Sequence, residues 1–348
     1  EWTVKLDAVI SDDHRATLNL SHSEDLTPQR YNNWSRTVFS NNWYYKDPEI
    51  DRASFTLYSD WSDRLSTKFK YTTYEMVEDD SSYGDDLFPE MNITITDPDS
   101  GDRDNVFLGG DRYRGANVIE VDSEFLTFKA DYDNDDHVYT FGYEEDNSDV
   151  VNLFIARYNG EVRFRSFEDY KNGIWSRLRI HEPYAGHTAT RSMAADFEVN
   201  KKTFYIQDKW YVNSDLTVQF GLRYDSVVTP VAPATNVNFV KEYGFSNASK
   251  FDFDLIQPRF SFNMDVSESM FGERDKVVAA TLRGGRGLFM GRIPRVWYGN
   301  AYSRTGATGD YRGWFSYDPS ASNFPGPMPK GDPTAFWLTS PDSKYVVP

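Results

Sequence analysis

Residues 203–225, TFYIQDKWYVNSDLTVQFGLRYD, contain two runs that flank one polar turn, Val212-Asn213-Ser214-Asp215. In the second run, apolar side chains alternate with polar side chains or glycine; they are Leu216, Val218, Phe220, Leu222 and Tyr224. Because successive side chains of a strand point to opposite faces, one face of this strand is apolar and the other is polar. Such a strand suits a membrane-spanning barrel that has lipid outside and water inside.

Four further stretches pair alternating runs around a polar turn, at 2–20, 53–71, 126–143 and 260–282. Long polar connections rich in Gly, Asp and Asn separate these hairpins, at 25–50, 78–121, 145–200 and 228–254. Connections of that length are unusual inside a compact sandwich. The pattern predicts an all-β fold, a partial transmembrane antiparallel β-barrel of about 10–12 strands with long exterior loops and short periplasmic turns.

The chain divides in composition near residue 287. Residues 1–286 carry the alternating runs and are predicted to form the partial barrel. Residues 287–348 are rich in Gly, Pro, Ser and Trp and lack sustained alternation, which predicts an irregular exterior loop or a barrel-mouth segment. No segment has the features expected of a plug domain.

The bulk composition narrows the class of protein. Among the 348 residues, acids outnumber bases to give a net charge of −17, which argues against a nucleic-acid partner. Cysteine is absent, so the chain has no disulfide framework or thiolate metal site. Mean hydropathy is −0.65, which is polar. This value does not exclude a membrane barrel, because barrel strands alternate apolar and polar side chains and their average hydropathy is therefore low. An aromatic content of 16% fits both barrel girdles and the core of a secreted β-sandwich, so a soluble carbohydrate-binding or propeller protein stays open.

Enzyme signatures are weak, and no catalytic residue is predicted. His181 and His187 lack the i, i+4 spacing of a helical zinc site, and 284–287 lacks the Lys-Ser/Thr ending of a phosphate-binding loop. The one candidate metal site is a weak calcium loop formed by closely spaced carboxylates; they are Asp97, Asp99, Asp102 and Asp104. A solvated exterior loop is the favoured interpretation of these aspartates, so no cofactor beyond possible calcium is expected.

The two strand faces give the candidate functional residues. The residues predicted to line the lumen are Asp208, Gln219, Arg223, Asp225, Arg259 and Arg283. The residues predicted to face lipid are Leu216, Val218, Phe220, Leu222, Tyr224, Phe260 and Phe262. Arginine in mid-bilayer lipid costs about 2–4 kcal/mol, which favours this assignment. Asp208 is placed opposite Gln219 on the assumption of a two-residue loop, Asn213-Ser214, with Tyr205 and Tyr211 toward lipid.

Several segments in a fixed order match one group of sequences. They are YIQDKW at 205–210, LTV at 216–218, GLRYD at 221–225, VNLFI at 151–155, GEVRF at 160–164, DY at 169–170, LRGGRGLF at 282–289 and GRIP at 291–294. In their order along the chain, these segments resemble the barrels of TonB-dependent outer-membrane transporters. Within that family they resemble the Oar-like receptors, which carry a carboxypeptidase-regulatory-like domain. The resemblance covers roughly 50–305 and implies a Gram-negative outer-membrane location.

The resemblance also implies partners that complete the barrel. Family barrels have about 22 strands and an N-terminal plug, so this chain is expected to be a fragment. Its open edges in lipid must be covered by the remaining barrel strands, another subunit or assembly machinery. The implied function is energy-dependent uptake of an unidentified substrate, with outer-membrane lipid, a plug and a TonB-type energy complex as partners. The alternative is a non-transporting barrel that acts as a scaffold or adhesin, or as a client or subunit of a larger envelope complex.

Overall fold

Strands dominate the computed structural model, which describes residues 1–80, 89–183, 193–267, 279–307 and 309–314. In chain order the strands are β1 (Trp2–Val9), β2 (His14–Glu24), β3 (Thr27–Gln29), β4 (Arg36–Val38), β5 (Tyr44–Lys46), β6 (Pro48–Ser62), β7 (Leu65–Asp79), β8 (Glu90–Thr96), β9 (Arg103–Leu108), β10 (Asn117–Asn134), β11 (His137–Phe154), β12 (Glu161–Phe164), β13 (Arg177–Pro183), β14 (Ala195–Tyr211), β15 (Leu216–Val228), β16 (Phe253–Asp265), β17 (Thr281–Gly287) and β18 (Gly309–Trp314). The helices are α1 (Phe167–Asn172), α2 (Val237–Tyr243) and α3 (Arg295–Ser303), with a 3-10 turn at Ser40–Asn42.

The main element is one ten-stranded antiparallel sheet in the order β1-β2-β6-β7-β10-β11-β14-β15-β16-β17. Each strand pairs with the sheet strand that precedes it in the chain, so the sheet is an uninterrupted series of hairpins. Within the described residues β1 and β17 pair on one side only, and the sheet does not close. The predicted all-β, open partial barrel and its strand number are confirmed.

The connections at the two ends of the strands differ in length. At one end of the strands, named here the short-turn edge, four of the five connections are short: residues 10–13, 63–64, 135–136 and 212–215. The fifth, between β16 and β17, spans residues 266–280. At the opposite, long-connection edge the strands are joined by residues 25–47, 80–116, 155–194 and 229–252. The asymmetry inferred from the sequence is therefore present in the structure.

The long connections are more ordered than the sequence predicts. They supply five strands of a second, six-stranded sheet in the order β18-β13-β12-β8-β9-β4, and β18 comes from the segment after β17. In this sheet β8 pairs in parallel with β12 and β4 pairs in parallel with β9. One face of this sheet holds a buried core; its residues are Met91, Ile93, Val162, Phe164, Trp175, Leu178 and Ile180. Met91 and Ile93 come from the connection at 80–116 and the other five core residues from the connection at 155–194, so the core forms only when these two connections combine.

Register divides the ten-stranded sheet into two chemically distinct faces. The face that carries Phe220 and Leu222, here the apolar face, exposes large side chains to the surroundings: the exposed fraction is 46% for Phe220 and 48% for Leu222. The opposite, polar face carries Arg223 and Asp225. This division extends across the sheet, since Leu6, Leu18 and Phe55 follow one another on the apolar face of β1, β2 and β6.

The segment after residue 287 includes helix α3, so it is not wholly irregular. Tyr298 and Tyr302 of α3 pack against Phe197 of β14, with ring centroids 5.8 Å and 5.1 Å away. Phe197 belongs to the polar face near the long-connection edge, where Val121 and Val150 complete a second buried cluster. Helix α3 therefore covers part of the polar face.

Candidate functional site

The predicted site residues separate by face almost as expected. Register places one set on the polar face: Gln219, Arg223, Asp225, Arg259 and Arg283. It places the other set together on the apolar face: Leu216, Val218, Phe220, Leu222, Tyr224, Phe260 and Phe262. The pairing of Phe220 with Phe260 directly across β15 and β16 illustrates this, with ring centroids 5.5 Å apart. Which face meets lipid stays a prediction.

Asp208 is the exception, and its predicted pairing is wrong. The structure pairs Asp208 with Phe220 and Lys209 with Gln219, so Asp208 lies on the apolar face. A connection one residue longer than assumed shifts the register by one, which moves every side chain of β14 to the other face. The same shift places Tyr205 and Tyr211 on the polar face rather than the apolar one.

Asp208 has a local partner near the short-turn edge. Its carboxylate lies 3.0 Å from Nδ1 of His137, and the His137 ring stacks on Trp210 with an interplanar angle of 6°. Polar groups that are paired and flanked by an aromatic ring are typical of the boundary between the apolar band and water. Register nevertheless places Asp208 opposite Phe220, midway between Leu216 and Tyr224, so this pair lies within the apolar face.

Tyr205 lies over a glycine of the neighbouring strand. Register places Gly142 opposite Tyr205, and a Cβ atom added at Gly142 would collide with the Tyr205 ring. The guanidinium of Arg223 lies 5.7 Å from the centre of the same ring. An aromatic side chain that covers a strand glycine helps to fix register in β-sheets.

We expect Gly142→Ala to destabilise the sheet by about 1–3 kcal/mol, because Tyr205 must leave its site. Gly221→Ala is the matched control, since that glycine shares the polar face but an added Cβ would only reach ordinary contact, 3.6 Å from the Ile206 carbonyl oxygen. Urea unfolding of the chain in detergent micelles measures both. Equal effects of the two substitutions would contradict the covering role of Tyr205.

Several predicted lumen residues join one hydrogen-bond network on the polar face. Arg223 donates to Glu144 at 2.8 Å and to Asp225 at 3.1 Å. Gln257 donates to the other oxygen of Asp225, and the backbone N–H of Met290 donates to Gln257 at 2.8 Å. Asp225 is only 1% exposed. These charges thus bind one another beneath the chain at residue 290 and do not simply border water.

A cavity of about 240 Å³ lies beside this network, between the polar face and the segment that leads into α3. Lys201, Arg292 and Arg295 contribute basic groups to its lining, and Asp146 contributes one carboxylate. Arg295 donates to the Ser148 hydroxyl at 2.7 Å, which fixes that guanidinium at the wall. The cavity has apolar walls as well, including the Tyr298 ring. Pockets with this mixture of groups commonly hold small ligands.

The six-stranded sheet carries a cluster of arginines around one buried carboxylate on the face opposite its core. Glu161 is fully buried and accepts hydrogen bonds from five guanidiniums, here named the arginine cluster: Arg112, Arg157, Arg163, Arg177 and Arg179. The Arg157 bond is 2.6 Å long and the Arg163 bond 3.0 Å. Strand alternation produces the cluster, because Glu161 and Arg163 on β12 pair with Arg179 and Arg177 on β13. None of its residues is among the site residues predicted from the sequence.

The two buried glutamates of this face have opposite pKa shifts. Burial disfavours the charged form of Glu161, but the Arg157 hydrogen bond and the charges of Arg179 and Arg112 lower its pKa to about 2. Glu90 pairs with Glu161 across β8 and β12, and burial raises its pKa to about 7 although the charge of Arg112 opposes the shift. At neutral pH the cluster therefore holds one firmly ionised carboxylate and one partly protonated one.

These shifts predict how the stability of the six-stranded sheet depends on pH. Both glutamates have an ordinary value of 4.5. The lowered pKa of Glu161 makes stability rise between pH 2 and 4.5, because the unfolded chain binds the extra proton there. The raised pKa of Glu90 makes stability fall between pH 4.5 and 7, because the folded state binds the proton. Amide hydrogen exchange at Leu178 should follow this profile, and Glu90→Gln should abolish the fall above pH 4.5 but not the rise below it.

Carboxylates form a row on the apolar side of the main sheet, toward the long-connection edge. Register places them opposite one another in succession: Asp51, Glu75, Asp122, Asp149 and Glu198. Like charges directly across a sheet destabilise it in a dry setting, so this row belongs in water. It marks where the apolar band ends.

The aspartates of the weak calcium-loop prediction lie in the β8–β9 hairpin. Asp97 accepts backbone N–H groups of Asp99 and Ser100 at 2.8 Å and 2.9 Å, as a turn-forming aspartate does. Asp104 instead accepts the Thr37 hydroxyl. Across the part of the chain that the structure describes, ligand atoms of three such residues converge within 4.8 Å at a different place, formed by His22, Glu49 and Asp51. The four aspartates do not assemble into a cation site.

Comparison with known proteins gives matches among solved structures. No family model and no curated protein matches the sequence. The chain is similar to the outer membrane transporter YddB from Escherichia coli, at 12% identity and a TM-score of 0.46, over 78% of this chain and 29% of that one. It is also similar to BauA, the ferric preacinetobactin receptor from Acinetobacter baumannii, at 10% identity and a TM-score of 0.35, over 76% of this chain and 39% of that one. The chain thus spans well under half the length of either protein.

The register and the exposed apolar face establish the fold independently of these two proteins. Among the described residues, no helix has the length and apolar character needed to cross a membrane.

Proposed function

We propose that this chain forms part of the wall of an outer-membrane transporter barrel of the TonB-dependent, Oar-like class. One observation carries the proposal: the ten-stranded sheet exposes a continuous apolar face opposite a face of bonded polar and charged groups. An exposed apolar surface that crosses ten strands is far larger than the patches that soluble monomers tolerate. Lipid is the environment that such a face requires.

The dimensions of the apolar face fit a bilayer. From Leu216 to Tyr224 the strand β15 extends about 27 Å along its own axis at ~3.4 Å per residue, which is about 20 Å along the bilayer normal at the ~40° tilt of barrel strands. Outer-membrane barrels carry an apolar band about 25 Å tall. The carboxylate row lies beyond one limit of this band, and the short connections lie beyond the other. The long connections then belong outside the cell and the short turns in the periplasm, as in other barrels of this kind.

In the proposed role, the polar face lines the transport path. Strands beyond β1 and β17 complete the barrel, because an open strand edge is not tolerated in lipid. A plug fills the completed barrel, and a TonB-type energy complex drives uptake of the substrate. The six-stranded sheet lies at the exterior end, where a substrate first meets the protein.

Single-cysteine labelling tests the orientation of the wall, because the natural chain contains no cysteine. Phe220→Cys and Gln219→Cys, adjacent positions on opposite faces, are each labelled with an environment-sensitive fluorophore and reconstituted in vesicles. Brominated lipid should quench the label at 220 and leave the label at 219 nearly unaffected. Equal quenching at both positions, or quenching at 219 alone, would refute the proposed orientation.

A further inference from the structure

The arginine cluster contains more positive charge than its acidic partners neutralise. Within the described residues, Arg163, Arg177 and Arg179 all form their ion pairs with the same carboxylate, Glu161. Arg112 and Arg157 also contact Glu161, and Arg112 lies 3.4 Å from Glu90. One carboxylate accepts four or so hydrogen bonds, so donors of the cluster are left over.

The surplus is concentrated at the open end of the cluster. Arg163 and Arg177 lie directly opposite each other across β12 and β13, a like-charge pair that costs stability in a sheet. Their side chains are 38% and 25% exposed, while Glu161 behind them is fully buried. Burial and the charges of Arg163 and Arg179 lower the pKa of Arg177, the response of a cation crowded by other cations.

Glu161 also holds the guanidiniums in place. It accepts the Nε–H of Arg163 at 3.0 Å and a terminal N–H of Arg177 at 3.3 Å. The Arg163 bond uses Nε and not the terminal nitrogens, so within the described residues those nitrogens can still donate to a ligand. Both bonds also restrict the side-chain rotamers, which lowers the entropy cost of binding. The cluster is thus preorganised as well as positively charged.

We propose that Arg163 and Arg177 bind an oxyanion group, carboxylate or phosphate, of a small ligand at the exterior end of the barrel wall. Guanidinium forks match two-oxygen acceptors of this kind, and a charged acceptor there relieves the repulsion between the two arginines. As a statement of substrate class the inference rests on the proposed function, whereas the binding itself can be measured without it. The net charge of −17 would by itself favour a cationic ligand, so the cluster has the opposite charge preference to the chain as a whole.

Titration calorimetry of the complete chain in detergent micelles, at constant ionic strength, tests the proposal with inorganic phosphate and with citrate as probes. The wild-type chain should bind at least one of them at a single site, and the preferred probe tells phosphate from carboxylate. Arg163→Gln should weaken binding at least tenfold. Arg163→Lys keeps the charge but loses the fork, and should weaken binding to a smaller degree.

Arg103→Gln is the matched control, because Arg103 is an exposed arginine on β9 of the same sheet. It should leave the affinity unchanged. Amide exchange of β12 and β13 checks the fold of each variant. If Arg163→Gln disrupts this sheet, the affinity of Arg163→Lys becomes the deciding measurement. A wild-type chain that binds neither probe, or equal losses in the Arg163 and Arg103 variants, would overturn the inference. A chain that inserts as the labelling experiment requires but binds no anion would leave the proposed function standing.

Discussion

Replacement of Leu222 by Arg is expected to lower the free energy of unfolding of the chain in lipid vesicles by about 2–4 kcal/mol. Leu222 lies in the middle of β15 on the apolar face and is 48% exposed, so in a bilayer its surroundings are hydrocarbon. A guanidinium there loses its hydration and gains no partner of comparable strength. Urea titration of the vesicle-bound chain, followed by tryptophan fluorescence, measures the change.

Thr217→Arg is the matched control on the polar face of the same strand, because its neighbours across the sheet, Tyr211 and Asn263, are uncharged. Its effect should remain within about 0.5 kcal/mol, the usual range for substitutions at solvated positions. Similar losses in both variants would mean that the two faces share one environment. In that case the sheet would not be a membrane wall.

Replacement of Glu161 by Gln is expected to destabilise the six-stranded sheet by about 3–5 kcal/mol, the usual cost of removing one partner of a buried ion pair. The substitution keeps the size of the side chain but leaves five guanidiniums around a neutral amide. Amide exchange at Val162 and Leu178, which lie in the core of the same sheet, measures the loss. The main sheet should be unaffected, because its register does not involve these strands.

Glu168→Gln is the control for this second substitution. Glu168 lies on α1 beside the same sheet, but its side chain is 69% exposed and pairs with Lys171. Exposed pairs of this kind contribute little to stability, so the control should change exchange rates only slightly. A fast-exchanging sheet in both variants would assign the effect to net charge rather than to the buried carboxylate.

The hairpins of the main sheet could be predicted from sequence because one physical rule governs them. Within the described residues, the apolar side chains that alternate in β10, β11, β15 and β16 share the apolar face in the structure, as Leu126 and Tyr143 do. Alternation identifies a face without any knowledge of the neighbouring strand. The register between strands is less secure, and a connection misjudged by one residue reversed the face of Asp208.

The six-stranded sheet and its arginine cluster could not be predicted in the same way. Strands such as β12 are only four residues long, and β12 pairs with β8, which lies in an earlier connection. Short strands that pair over long sequence separations leave no periodic signal. A local signal did exist, however: Glu161 and Arg163, like Arg177 and Arg179, alternate at the spacing of a charged strand face. Only the pairing of β12 with β13 shows that these charges converge.

The strictly sequential order of the main sheet has a consequence for its assembly. Each strand pairs with the sheet strand that precedes it in the chain, so the wall can form one strand at a time. Each such step costs little loop-closure entropy. The costly event is postponed to the end, when the first and last strands of the completed barrel, far apart in sequence, must pair with each other. We therefore expect the seam between first and last strands, rather than any hairpin, to limit the rate of barrel closure.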